Sequence, residues 1–176
     1  IAGGRSFERA ASFLPVPLPG GEGAIHHPWR MALSYLAAAG GGTPPDCAAV
    51  RALIERVGQA EAAAVARIRE NRALSPLTSS AGRLFEAAAA LAGLCDHNSF
   101  EGEAAMRLEA AARGVIGEPY EFALTDDSPP RIDFSPAFLA LLVKIVIDLA
   151  RAHHHALDLV VGDELDLLSR EHLGIV

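Results

Sequence analysis

Lysine is nearly missing from this chain, with Lys144 its only example, and cysteine is almost as scarce, with 2. Cys47 and Cys95 stand far apart and share no CxxC spacing. A disulfide framework or a thiolate zinc site needs more thiols at closer intervals, so both read as reduced, buried thiols of a cytoplasmic protein. A basic stripe is missing too, and the formal net charge is −7. Neutralising phosphates takes clustered cations, which excludes nucleic acid as the partner. Long apolar runs are lacking. The best of them, residues 138–147, is broken by Lys144 and closed by Asp148, far short of the roughly 20 residues a bilayer requires. It reads as a buried helix, with no membrane partner. No targeting segment shows, and the missing initiating methionine fits a piece cut from a longer protein.

What remains is one domain's length, 176 residues, with a hydrophobic fraction of 51% inflated by alanine. The pattern is α+β and mainly α-helical. In residues 5–18, phenylalanines mix with polar neighbours, and Pro15, Pro17 and Pro19 then alternate up to Gly20-Gly21. Proline cannot donate to a central ladder, so residues 1–21 form an extended arm or edge strand. Pro28 opens a helix, where its missing N–H is harmless, with Trp29, Leu33 and Leu36 on one face. His26 and His27 precede it without an acid at ligand spacing, and are expected in loop or capping roles. The run Gly40-Gly41-Gly42-Thr43-Pro44-Pro45 is a loop. No strand precedes it and no Gly-Lys-Ser/Thr follows, so it is not a phosphate cradle. Asp46 is expected to cap the next helix, where Val50, Leu53, Ile54 and Val57 make a 3.6-residue stripe that resumes after Gly58 with Val65 and Ile68.

Further on, residues 119–122 and 131–133 are expected as two short strands around the turn Asp126-Asp127-Ser128-Pro129-Pro130, where the paired acids belong to the turn and not to a metal. Ser135-Pro136 supplies N-cap and N1 of the last major helix. His153, His154 and His155 point about 100° apart on a helix, so at most two could share an ion; a helix-surface role is expected. Residues 162–176 read as a short amphipathic helix leading to a strand start. The expected organisation is one partial domain, residues 1–176, with a helical subdomain at 22–118 and a turn-rich connection with C-terminal helices at 119–176.

Residues 75–109 hold the densest set of small, hydroxyl and carboxylate side chains, and the chain is expected to be organised around them. Ser79 or Ser80 can cap a helix whose Leu84, Ala88 and Leu91 face the core. Asn98 and Glu101 read as the capping box of a second helix with Ala105, Leu108 and Ala112 inside, and Glu103–Arg107 and Glu109–Arg113 on a solvated face. Ser79, Ser80 and Gly82 leave room for backbone to approach an anion or sugar at a helix start. Glu86, one turn in, can accept two hydrogen bonds from a diol such as ribose. Taken alone, these residues fit a plain capped helix as well as a nucleotide site. No catalytic acid or base and no metal site stands out.

Three stretches carry a resemblance: GGEGAIHHPWRMALSYL at 20–36, SPLTSSAGRLFEAAAALAGL at 75–94 and FEGEAAMRLEA at 100–110. They resemble, in the same order, segments of the carbamoyl-transfer domain of the HypF carbamoyltransferases, over about Phe7 to Leu159. That domain is similar to the tRNA threonylcarbamoyl-transfer proteins and to the actin-like ATPase superfamily. The resemblance implies a protein that converts carbamoyl phosphate and ATP to a carbamoyl adenylate. The carbamoyl group then passes to the C-terminal cysteine of a HypE acceptor protein during nickel-iron hydrogenase maturation. Carried over by position, Gly82 and Glu86 lie near the ribose and Gly102 close to the nucleoside. Glu86 departs from the family's usual aspartate, which moves its carboxylate outward by a methylene. The family's histidine metal motif and its phosphate loops fall outside the matching region, so a metal ion is expected only in the full-length enzyme. Two other readings stay open: a noncatalytic helical interaction module, and an O-carbamoyltransferase of natural-product biosynthesis.

Overall fold

Recurrent proline keeps the start of the chain extended. In a computed structural model, which describes residues 2–4 and 6–152, four strands of two residues fall there. They are β1 (Ala2–Gly3), β2 (Ser6–Phe7), β3 (Ser12–Phe13) and β4 (Val16–Pro17). Helices α1 (Gly23–His26), α2 (Pro28–Ala39), α3 (Ala48–Val57) and α4 (Gln59–Arg69) follow. The chain continues through β5 (Leu77–Thr78), α5 (Ala81–Leu91) and α6 (Glu103–Ala112), and ends in β6 (Ala123–Leu124), β7 (Arg131–Asp133) and α7 (Ser135–Ala152). The fold is α+β and mainly helical. The histidines 153–155 and the tail 162–176 lie outside the described residues.

The strands make small ribbons. β4 pairs antiparallel with β5, Val16 opposite Thr78, and Pro17 sits where a two-stranded ribbon has an open edge. β6 and β7 form an antiparallel hairpin, and β3 adds to β7 in parallel, Phe13 opposite Ile132. The second strand of the hairpin starts at Arg131 as expected. The first lies at 123–124 and not 119–122, since it is Ala123 and Leu124 that stand opposite Asp133 and Ile132 in the hairpin.

The organising element is α2, not the stretch 75–109. Its sequence, PWRMALSYLAAA, is apolar all round, and it is the helix that the others cover. Met31, Ala32 and Leu36 are fully buried, with Trp29, Leu33 and Tyr35 close behind. α5 packs on one side and α7 on another, where the Tyr35 and Phe138 rings stack 4.8 Å apart. Ser34, also inside, donates from Oγ to Pro17 O at 2.6 Å and fastens the helix to β4. The helix stops at Gly40, where a Cβ would lie 2.1 Å from Thr43 O; only glycine lets the chain double back so closely. α3 begins after Cys47, not Asp46, whose carboxylate instead accepts from Arg51 Nη1 at 2.7 Å. At α7 the start moves by one residue, and Asp133 Oδ1 accepts from Ser135 N at 2.8 Å. Among the described residues no helix is long and apolar enough to cross a membrane.

Candidate functional site

The start of α5 is open. Ser80 occupies the N-cap position in an extended conformation, yet its hydroxyl makes no capping hydrogen bond; its own N–H donates to Thr78 Oγ1 at 3.3 Å. Ser79 and Ser80 are exposed. A Cβ added to Gly82 would meet only Ser80 Oγ, at 3.6 Å. Small residues therefore leave a shallow approach to the helix entrance.

One turn on, the chemistry turns inward. Glu86 is 1% exposed, buried like Leu84, Ala87 and Leu91 of the same helix but directed to Asn98 and Arg83. Its Oε1 accepts from Asn98 Nδ2 at 3.3 Å. Arg83 Nη1 lies 2.8 Å from Oε2, but neither atom makes an aligned hydrogen bond, so this contact is Coulombic. Burial pushes the Glu86 carboxyl up to about 7, against the opposing pull of Arg83 and Asn98. Ala88, expected in the core stripe, is only partly buried, and Ala87 and Ala90 take its place.

Asn98 is the hub of this region. Its N–H donates to His26 O at 2.9 Å and its Nδ2 also donates to Ile25 O at 2.8 Å. Its Oδ1 accepts from Ala104 N at 3.0 Å and from Cys95 Sγ at 3.6 Å. One buried amide thus joins α1, α5 and the first turn of α6, with every donor and acceptor used. Beside it, His27 Nδ1 and His97 Nδ1 approach to 2.8 Å, a second link from the α1–α2 junction to the α5–α6 loop. Burial, and then the charge of Arg30, lower the His27 pKa.

The expected Asn98–Glu101 capping box does not form. Gly102 adopts φ 85, a left-handed conformation natural to glycine, and this turn delays the helix to Glu103. Glu103, the first residue of α6, instead accepts at Oε2 from Ser99 N at 2.5 Å and Ser99 Oγ at 2.6 Å in the preceding loop. Glu103 also pairs with Arg107, but at 5% exposure it is not on a solvated face. Those Ser99 hydrogen bonds, helped by Arg107, hold its carboxyl down at about 2. A Cβ at Gly102 would meet nothing within 4 Å.

The sequence-picked residues therefore divide. Glu86 and the segment after Gly102 share one network through Asn98, while Ser79, Ser80 and Gly82 face outward one turn before Glu86. Open grooves lie elsewhere among the described residues. One of about 470 Å³ runs along α3 and α4 past Val50, Ile54 and Val65; another, about 380 Å³, lies by Pro17 and Ser34. Among the described residues no three His, Cys, Asp or Glu side chains are grouped to hold a metal ion.

A family described as the second subdomain of the Kae1-like domain of carbamoyltransferase HypF matches residues 1–163. The chain belongs to the HypF carbamoyltransferase family. It is 44% identical over 110 residues to the carbamoyltransferase HypF of Rhodobacter capsulatus, covering 61% of this chain and 14% of that protein. With the carbamoyltransferase HypF of Rhizobium leguminosarum bv. viciae it shares 36% over 135 residues, 77% of this chain and 16% of the relative. The HypF-family chain thus spans a small part of the curated relatives it matches. A crystal structure of full-length HypF in its phosphate- and nucleotide-bound form is similar over 84% of this chain and 21% of that one, with TM-score 0.62 and 28% identity. The fold also matches HypF of T. kodakarensis, over 94% of this chain and 26% of that one, at TM-score 0.58 and 20% identity.

In this HypF-family chain, sequence reading missed Arg83 as a buried partner and Asn98 as a three-way fastener. Asn98 read as a helix cap, and its reach back to Ile25 has no local sequence signal. Arg83, at i−3 from Glu86, did carry one: the spacing of a helical ion pair.

Proposed function

We propose that this chain forms the nucleoside-facing part of the ATP or carbamoyl-adenylate site of a HypF-type carbamoyltransferase of actin-like ATPase architecture. The chain would be one part of a larger catalytic domain, in a cytoplasmic enzyme. The whole enzyme would convert carbamoyl phosphate and ATP to carbamoyl adenylate, then pass the carbamoyl group to the C-terminal cysteine thiol of a HypE-like acceptor. The observation that carries this reading is the family match over residues 1–163, joined to the likeness to a HypF whose structure holds phosphate and nucleotide.

The residues supply the contacts such a site needs. Gly82 and Gly102 have open space where side chains would stand, so a planar base or sugar can lie against backbone. Ser79 and Ser80 offer exposed hydroxyls at a helix start, where the backbone dipoles favour oxygen ligands of negative charge. Glu86 Oε2 is buried without an aligned hydrogen bond, 2.8 Å from Arg83 Nη1. A ribose hydroxyl would take it only once the side chain turned out of its buried place beside Arg83 and Asn98. The chemistry asked of these groups is positioning, which holds reactants in line and removes the entropy of their encounter.

The test is ATP titration into the intact enzyme carrying Gly82→Trp. Gly82 is the better choice than Gly102, whose φ of 85 would strain any replacement. The indole fills the open entrance, and the Kd for ATP should rise at least about tenfold, near 1.4 kcal/mol. Equal affinity would remove this entrance from the nucleotide site.

A further inference from the structure

Arg30 stands in the first turn of α2 as a cation with nothing to hold. Its Nε is buried without an acceptor, and among the described residues no carboxylate or carbonyl pairs with the guanidinium. A partly buried, unpaired charge is costly, and in a chain of net charge −7 it is also unexpected. The surroundings are shaped around it. A Cβ on Gly20 would lie 2.6 Å from Arg30 Nη1 and one on Gly23 2.9 Å from the same atom. The guanidinium thus occupies space beside Gly20 and Gly23 that a side chain at either position would claim, and such a side chain would push it aside. On another side Arg30 Cζ lies 5.6 Å from the centre of the Trp29 ring. The charge is felt next door, where Arg30 helps to lower the His27 pKa.

We propose that Arg30, set in its glycine cradle, is an oxyanion-recognition group that takes a phosphoryl oxygen of the enzyme's phosphorylated substrates. This rests on the functional reading above and adds to it a specific group for phosphoryl recognition. Arginine suits the task because its planar fork gives two parallel N–H donors to an oxyanion, and it stays charged at any working pH. Lysine would keep the charge and lose the fork. The ligand chemistry is shared by carbamoyl phosphate and by the phosphates of ATP, and separate titrations tell them apart.

The experiment measures KM for carbamoyl phosphate and for ATP, each at saturating levels of the other, in the intact enzyme with Arg30→Gln, Arg30→Lys and Gly23→Ala. Thermal melting reports folding. Arg30→Gln should raise one of the two KM values at least tenfold, and the substrate affected identifies the oxyanion. Arg30→Lys should recover only part of the loss. Gly23→Ala should raise the same KM severalfold, because the new methyl displaces the guanidinium while leaving its charge. KM values within twofold of the parent for both substrates in Arg30→Gln would overturn the proposal. So would a loss confined to kcat and melting temperature. The Gly82→Trp result is read independently: an unchanged ATP affinity there defeats the nucleoside site and leaves a carbamoyl phosphate effect at Arg30 standing.

Discussion

Glu86 and Glu103 show how two carboxylates a short distance apart in sequence acquire opposite acidities. Glu86 is held by one long hydrogen bond in a buried site and is pushed up to about 7 from an ordinary 4.5. Glu103 accepts two short bonds from Ser99 and is pulled down to about 2. For Glu86 the folded chain binds the proton more tightly than the unfolded one. Its contribution to stability is therefore complete below pH 4.5 and is lost as pH rises through 7. For Glu103 the sign reverses: its contribution is present above 4.5 and lost as pH falls toward 2, outside the neutral window. Urea unfolding at pH 5 and pH 8 separates the two. The parent chain should lose roughly 2 to 3 kcal/mol over that interval relative to Glu86→Gln, whose amide cannot ionise. Parallel pH dependences in the two proteins would mean that the Glu86 site is wetter than its burial implies.

At the level of elements, α2 carries the core, and substitutions should register that. Leu36→Ala removes a fully buried side chain from its centre and should cost about 3 kcal/mol in urea unfolding. Leu108→Ala on α6 touches only the small satellite cluster of Ala89, Cys95 and Ala104 and should cost about 1 kcal/mol. The helix starts and stripes were largely legible, because Pro28, Gly58 and the 3.6-residue pattern of Val50, Leu53 and Ile54 act through neighbours in sequence. The central role of α2 was not. Trp29, Leu33 and Leu36 marked one apolar face, but Met31 and Tyr35 on its other sides are buried only because α5 and α7 arrive there from far along the chain. The same limit applied to the site. Gly102 was singled out, yet not its left-handed turn, which starts α6 at Glu103, nor the anchoring of the nearby Asn98 to Ile25, far back in the chain. Arg30 escaped notice since its cradle, Gly20 and Gly23, lies on the preceding loop and reads as ordinary turn composition.

Across the whole molecule, order is uneven in an identifiable place. Residues 111–124 are exposed throughout, and among them Val115 is 69% and Ile116 100% exposed. Proteases cut accessible backbone outside regular structure, which residues 113–122 offer between α6 and β6 and the helices do not. Brief chymotrypsin treatment should cut first after Tyr120 or Phe122, and mass spectrometry of the early fragments checks it. The two pieces should remain associated after the cut, since β7 is paired with β3 and α7 lies against α2 and α3. Early cleavage within α2 or α5 instead would contradict the core described here.

The parallel pairing of β3 with β7 joins Phe13 to Ile132, residues from opposite ends of the described chain's sequence with the helices α1 to α6 between them. Loop-closure entropy and the slow formation of nonlocal contacts place that step late in folding. On the ribosome, the segment around Phe13 emerges well before the β6–β7 hairpin and must wait for it before its ladder can close. Until then α2 can gather α1, α4 and α5, but not the α7 face where Tyr35 meets Phe138. Nascent chains halted ahead of residue 131 would thus present an uncovered aromatic wall, a natural point of contact for chaperones during biosynthesis.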